Sequence, residues 1–216
     1  NFKQTIEKEI IGQTETSNVL KPILKDDIFI PFNQSELSKK HDLCSKEESK
    51  LFNKVNLKLL NYLVKNNYQT YLDKLEEPLY GNPIVFNYQN RKYTYSLMNS
   101  ILDIDTLDKN IDFAQNKSIL EIGAGSGRIC STLFQLKNNL NYTIVDIPPT
   151  LYVSQTNLLN VFKNKKIFKF RIFKNFDEIE KEFISCDIRF LLPEQLKLIP
   201  DKFFDLSIAI DCLHEF

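Results

Sequence analysis

One short segment constrains the fold of this chain more than any other: the glycine-rich stretch Glu121–Gly127, with sequence EIGAGSG. The segment Ser118–Ile122 before it, in which three of five residues are apolar, predicts a short buried strand, and the apolar spacing over Arg128–Lys137 after it predicts a helix. Gly123 lets the chain turn sharply at the strand end, while Gly125 and Gly127 remove side chains where the backbone must be closely approached. The stretch therefore predicts a strand–turn–helix unit.

Strands and helices continue to alternate beyond this unit. Further strands are predicted at Tyr142–Asp146 and Phe204–Ile210, and the third strand of the sheet is either Ile167–Phe173 or Ile188–Leu192. Helices are predicted from Pro148, because proline suits the first helical turn, to about Phe162, and over Asp177–Phe183. This pattern predicts an α/β fold, a Rossmann-like parallel sheet with helices on both faces. We assign this core to residues 113–216 and interpret it as C-terminally truncated, with an exposed edge beside the strand at 204–210.

The residues before this core have a different sequence pattern. Residues 1–44 show no sustained periodicity of apolar residues, which predicts an irregular arm. The apolar spacing of residues 45–112 predicts a helical segment. Ser45–Glu48 fits a capping box. One apolar helix stripe follows it: Leu51, Phe52, Val55, Leu59, Tyr62 and Leu63. A second helix reaches about Leu75, Gly81–Pro83 predicts a turn, and a third helix spans Tyr95–Leu107. The residues expected to face inward from that third helix are Leu97, Met98, Ile101 and Leu102.

Composition excludes several classes of protein. Lys plus Arg and Asp plus Glu both number 28 among the 216 residues, which argues against nucleic-acid binding, and we interpret Lys165, Lys166 and Lys169 as a solvated basic face. No run of eighteen apolar residues predicts a membrane span, and the start has no signal-peptide pattern. The four cysteines lack metal-ligand spacing, so we expect reduced, mostly buried thiols in a cytoplasmic protein without a bound metal. They are Cys44, Cys130, Cys186 and Cys212.

The spacing of the glycines indicates which ligand the turn binds. A dinucleotide-binding turn has the pattern G-x-G-x-x-G, but here the third glycine comes one position early and Arg128 occupies its place. Glu121, two residues before the first glycine, can hold the ammonium of the methionine part of S-adenosylmethionine. Asp146 at the end of the second strand can accept both ribose hydroxyls, as in nicotinamide enzymes, or cap the following helix. Arg128 either reaches the methionine carboxylate or pairs at the surface.

Three stretches together resemble the sugar O-methyltransferases of bacteria, a family of class I methyltransferases: Ile119–Arg128, Tyr142–Pro149 and Phe204–Phe216. The upstream pieces Tyr71–Pro78, Gly81–Ile84 and Asn90–Arg91 are also similar, so the resemblance covers roughly residues 50–216. The resemblance implies S-adenosylmethionine as the cofactor, in contact with the turn and with the ends of the first strands. Glu121, Gly123, Ala124 and Gly125 would line its methionine part, Asp146 its ribose, Ile147 its adenine and Gln195 the adenine amine. The loop Asp211–His214 would face the transferred methyl.

Methyl transfer to a sugar hydroxyl needs alignment and removal of a proton, and histidine suits the second task at neutral pH. His214 is therefore our candidate general base, unless it only packs, and Asp211 is a candidate substrate contact. We expect an S-adenosylmethionine-dependent O-methyltransferase acting on a small-molecule or glycan acceptor, whose activity can require the missing C-terminal part. The alternatives are a non-catalytic binding module on this fold and a nicotinamide-dependent oxidoreductase, which Arg128 disfavours. The sequence leaves the oligomeric state open.

Overall fold

The computed structural model describes residues 46–80, 83–115, 117–210 and 212, with the backbone alone for residues 46–52 and 86. The predicted arm at 1–44, the capping residue Ser45, part of the turn at Gly81–Pro83, and the candidates Asp211 and His214 lie outside the described residues. The chain forms two compact units, residues 1–106 and 107–216. This division falls a few residues before the predicted boundary between residues 112 and 113.

The described part of the first unit is helical with one hairpin. Its helices are α1 (Lys46–Lys65), α2 (Gln69–Lys74) and α3 (Tyr95–Asn110), of which α3 runs on into the second unit. The predicted stripe on α1 is buried at Leu59 and Leu63 and half-buried at Val55 and Tyr62. All four residues expected to face inward from α3 are buried: Leu97, Met98, Ile101 and Leu102.

A β-hairpin that the sequence pattern did not predict precedes α3. Strands β1 (Phe86–Tyr88) and β2 (Arg91–Tyr93) pair antiparallel through the two-residue turn Gln89–Asn90, whose φ angles are 48° and 62°. Positive φ at both central residues matches the turn type whose twist suits a hairpin. The Arg91 guanidinium donates to the carbonyls of Asp73 (2.7 Å) and Leu75 (2.9 Å), and thereby caps the end of α2.

The second unit contains a five-stranded parallel sheet, in the spatial order β5-β6-β4-β3-β7. The strands are β3 (Ser118–Ile122), β4 (Asn141–Val145), β5 (Ile167–Phe168), β6 (Ile188–Leu191) and β7 (Leu206–Ile208). Helix α4 (Arg128–Leu136) connects β3 to β4, and α5 (Pro148–Val161) follows β4. The prediction of an α/β fold with a parallel sheet is confirmed, and the strand order is compatible with a Rossmann-like fold.

The pairing decides which segment is the third strand. Ile188–Leu191 lies directly beside β4, whereas only Ile167 and Phe168 of the apolar stretch Ile167–Phe173 join the sheet, outside β6. The single helix predicted over Asp177–Phe183 is wrong, because a 3-10 turn (Phe176–Glu178) precedes a short helix α6 (Glu180–Ser185). The side chain of Asn175 accepts a hydrogen bond from the amide of Glu178 and stabilises that separate turn.

Side chains on the two faces of the sheet meet different helices. Ile119 and Tyr142 are register partners and share one face, where the Tyr142 ring contacts Phe134 of α4. Leu120 points to the opposite face, where it shares a core cluster with Phe183 of α6. In the described part of the chain β7 pairs with β3 alone, so it forms one edge of the sheet, as predicted. No helix among the described residues is long and apolar enough to cross a membrane.

Candidate functional site

The site predicted from sequence lies at the carboxyl ends of β3 and β4. The chain continues from β3 to β4 on one side, but the other neighbour of β3 is β7, so the order of connections reverses between β3 and β7. In open parallel sheets ligands bind outside the carboxyl ends of the strands at such a reversal. The glycine turn Gly123–Gly127 follows β3 at this place.

All three glycines of the turn have backbone angles that other residues rarely adopt. The φ angles are 71° at Gly123, 59° at Gly125 and 79° at Gly127, where α4 begins. In this left-handed region a side chain crowds the following carbonyl. The early third glycine is therefore the left-handed cap of α4, and Arg128 is its first helical residue.

The surroundings of the glycines differ. A Cβ atom added at Gly123 would lie 2.5 Å from the Cβ of Cys212, and one added at Gly127 would lie 2.8 Å from Cδ1 of Leu158 on α5. A Cβ added at Gly125 would meet no heavy atom within 4 Å in the described part of the chain. Gly123 and Gly127 are thus needed for packing within the protein. Gly125, in contrast, presents bare backbone to open space, where a ligand can approach.

Asp146 joins the end of β4 to this open part of the turn. Its Oδ2 atom accepts a hydrogen bond from the amide of Gly125 (3.1 Å), and its Oδ1 atom accepts one from the amide of Ile147 (2.8 Å). A carboxylate offers about four acceptor positions on its two oxygens, so each oxygen of Asp146 can accept a further donor. The two hydroxyls of a ribose are a pair of donors of this kind. This contact with the turn was not predicted from the sequence, and the contact of Asp146 with a ribose stays a prediction.

Glu121 is more deeply buried than a residue that contacts a ligand at the surface would be. Its side chain is 3% exposed on the face covered by α4, and its Oε2 atom accepts a hydrogen bond from the Tyr142 hydroxyl at 3.0 Å. Burial, reinforced by the negative charge of Glu121, raises the pKa of the Tyr142 phenol and of the Cys130 thiol well above their ordinary values. Both shifts favour the protonated forms of these neighbours, in which the Tyr142 hydroxyl donates to Glu121.

The remaining predicted cofactor residues occupy the same end of the sheet. Ile147 exposes 52% of its surface directly after Asp146, although it is apolar, and Ala124 is buried within the turn. Arg128 is half-buried, and its positive charge partly opposes the rise in the pKa of Tyr142 that burial causes. These placements are consistent with the predicted contacts to adenine and to the methionine end, which stay predictions.

Gln195 follows β6, as the sequence pattern predicted, but its amide group is engaged within the protein. The Oε1 atom accepts from the amide of Leu192 (2.9 Å), and Nε2 donates to the carbonyl of Arg171 (2.8 Å). These two bonds close the 3-10 turn Pro193–Leu198 and tie it to the chain after β5. Gln195 therefore stabilises the loop, and a contact between it and an adenine amine stays a prediction.

The segment that follows β7 returns to the glycine turn. Cys212 is buried, and its Sγ donates to the carbonyl of Ile122 (3.0 Å) beside Gly123. The predicted substrate contact Asp211 and the predicted base His214 flank this residue in sequence but lie outside the described residues. The described cysteines Cys130, Cys186 and Cys212 are buried free thiols, as expected. The described residues contain no group of three or more His, Cys, Asp or Glu side chains that could hold a metal ion.

Two residues of this site were not identified from sequence. Tyr142 was assigned only to a strand, although a buried tyrosine hydroxyl usually finds a hydrogen-bond partner and could have been matched to Glu121. Cys212 was assigned only as a buried thiol within the loop Asp211–His214, and no local pattern indicates its contact with Gly123. No family model and no curated protein matches this chain. Its function must therefore be inferred from the residues of the site.

Proposed function

We propose that this chain binds S-adenosylmethionine at the carboxyl ends of β3 and β4 and acts as a class I O-methyltransferase on a small-molecule or glycan hydroxyl. The observation that carries the proposal is the contact between Asp146 and the amide of Gly125. It joins an acid suited to a ribose to the one glycine of the turn that faces open space. Both lie beside the reversal between β3 and β7.

In this proposal, different residues contact different parts of the ligand. Asp146 accepts the ribose hydroxyls with the acceptor positions left on its two oxygens, and the exposed side chain of Ile147 covers the adenine. The bare backbone at Gly125 admits the middle of the ligand, because no side chain occupies that space. Glu121 provides negative charge for the ammonium at the methionine end, as its place two residues before the first glycine of the turn implies.

S-adenosylmethionine, when bound, supplies a methyl group already activated on a sulfonium sulfur. The protein then has to align an acceptor oxygen and remove its proton. We assign proton removal to His214 and acceptor contact to Asp211. This assignment is supported by Cys212, which lies between them in sequence and donates to the carbonyl of Ile122 at the turn. A sugar or glycan precursor is the acceptor class that the resemblance to bacterial sugar O-methyltransferases implies.

Binding of S-adenosylhomocysteine, the demethylated product, tests the cofactor half of the proposal. Titration calorimetry and thermal shift should show saturable binding and stabilisation with S-adenosylhomocysteine but not with NAD. Gly125→Ala places a methyl group in the ligand's path and should weaken this binding at least about tenfold, a loss of roughly 1.4 kcal/mol or more.

Asn139→Ala is the matched control for Gly125→Ala. Asn139 has φ 60°, close to the 59° of Gly125, but it precedes β4 at the amino end of the strand. Alanine is therefore strained similarly at both positions, and only one of them lies at the proposed site. Binding of NAD in place of S-adenosylhomocysteine would favour an oxidoreductase, and equal weakening by the two variants would contradict the location of the site.

A further inference from the structure

Tyr142 and Glu121 form a buried polar pair on the face of the sheet that α4 covers. In the register of β3 and β4, Ile119 lies opposite Tyr142 and Glu121 lies opposite Ile144. Because side chains alternate between faces, Tyr142 and Glu121 share a face, with Tyr142 nearer the amino end. The phenol points along the strands toward the site, and its hydroxyl donates to Oε2 of Glu121 at 3.0 Å.

Both members of this pair are buried. Tyr142 is 0% exposed and Glu121 is 3% exposed. A buried carboxylate is costly unless donors surround it, and a hydrogen bond to a charged oxygen is stronger than one between neutral groups. The ring of Tyr142 packs edge-on against Phe134, with the ring centroids 6.3 Å apart. Both ends of the Tyr142 side chain are therefore held, and the hydroxyl is a fixed donor.

We propose that Tyr142 is a positioning residue, which holds the Glu121 carboxylate for the ammonium group at the methionine end of the ligand. This inference rests on the proposed function. It makes Tyr142 a specificity determinant: the site prefers ligands that carry the amino-acid end over ligands with adenosine and sulfur alone. The adenosine end is served by Asp146 and Ile147 after β4, which make no hydrogen bond to the phenol. Loss of the hydroxyl should therefore affect one end of the ligand.

Two ligands separate the ends. S-adenosylhomocysteine carries the amino-acid part, whereas 5′-methylthioadenosine keeps the adenosine and the sulfur but lacks it. Titration calorimetry on the full chain with Tyr142→Phe, which keeps the ring, should show binding of S-adenosylhomocysteine weakened about tenfold or more. Binding of 5′-methylthioadenosine should stay at the wild-type value. Tyr93→Phe, at a buried tyrosine of the first unit, is the matched control and should change neither affinity.

Equal losses of affinity for the two ligands would show that the hydroxyl merely supports the fold. Unchanged affinities for both ligands would show that the hydroxyl does not position Glu121. Glu121→Gln provides a second route if Tyr142→Phe folds poorly. It should cause the same selective loss, and adding Tyr142→Phe to it should cause no further loss. Failure of the wild-type chain to bind either ligand would overturn the proposed function, and this inference with it. Wild-type binding without a selective loss would overturn this inference alone.

Discussion

The glycine turn allows backbone strain and packing to be measured separately. Replacing Gly123, Gly125 and Gly127 by alanine, one at a time, introduces the same methyl group at φ angles between 59° and 79°. The left-handed conformation costs an alanine roughly 1–2 kcal/mol at each position. Alanine also restricts the unfolded chain similarly at all three positions, so this effect cancels in comparisons between them.

Packing then adds a different cost at each position. The methyl group at Gly125 has no described neighbour within 4 Å, so Gly125→Ala should cost only the strain of about 1–2 kcal/mol. At Gly127 the methyl group meets the flexible end of Leu158 at 2.8 Å, which adds about 1–3 kcal/mol. At Gly123 it would lie 2.5 Å from the Cβ of Cys212, which cannot rotate away, so Gly123→Ala should be the most destabilising.

Urea unfolding followed by far-ultraviolet circular dichroism measures these differences, since the chain has no tryptophan to report by fluorescence. Leu158→Ala combined with Gly127→Ala provides an internal check. The truncated side chain makes room for the methyl group, so the double variant should be more stable than the two single effects predict, by about 0.5–3 kcal/mol. The reasoning is refuted if Gly125→Ala is as destabilising as Gly123→Ala, because the turn would then be packed on the side where a ligand is proposed to enter.

Two further predictions concern ionisable side chains that are not part of the proposed site. Burial raises the pKa of Glu77, only partly offset by its hydrogen bonds from Thr94, so its ionised form is disfavoured in the folded state. Glu77→Gln should therefore raise the urea midpoint at pH 7, and this gain should disappear as the pH falls below the ordinary glutamate pKa. Arg189 is 2% exposed and donates to the carbonyls of Phe183 and Ile184. Arg189→Lys keeps the buried charge but loses the planar guanidinium, so it should lower the urea midpoint more than Arg189→Met does. The reverse order would show that the buried charge itself is not costly.

The elements that sequence predicted well are those whose signals are local. The strand at Ser118–Ile122 was predicted from three apolar residues, Ile119, Leu120 and Ile122, directly before a glycine turn, and its bounds agree with those in the structure. Pro148 correctly predicted the start of α5. The hairpin before α3 was missed because Gln89 and Asn90 adopt positive φ without a glycine, so the usual Asn-Gly signal is absent.

Long-range contacts explain what the sequence pattern left open. Ile167–Phe173 and Ile188–Leu192 are both apolar, and what distinguishes them is that Ile188–Leu191 pairs with β4. That choice depends on a partner outside either segment, so periodicity within the segment could not make it. The same holds for the buried hydroxyl of Tyr142, whose partner Glu121 lies on the neighbouring strand.

Gly123 illustrates how one residue can satisfy a local and a distant requirement. The sharp turn after β3 explains why its φ is positive, but a local turn would not by itself exclude a methyl group from the space around it. Cys212, eighty-nine positions later in the chain, fills that space and donates to the carbonyl of Ile122. A larger residue at position 123 would push the chain after β7 away from the turn. The position of Cys212 relative to the proposed cofactor residues would then change, without any change in those residues themselves.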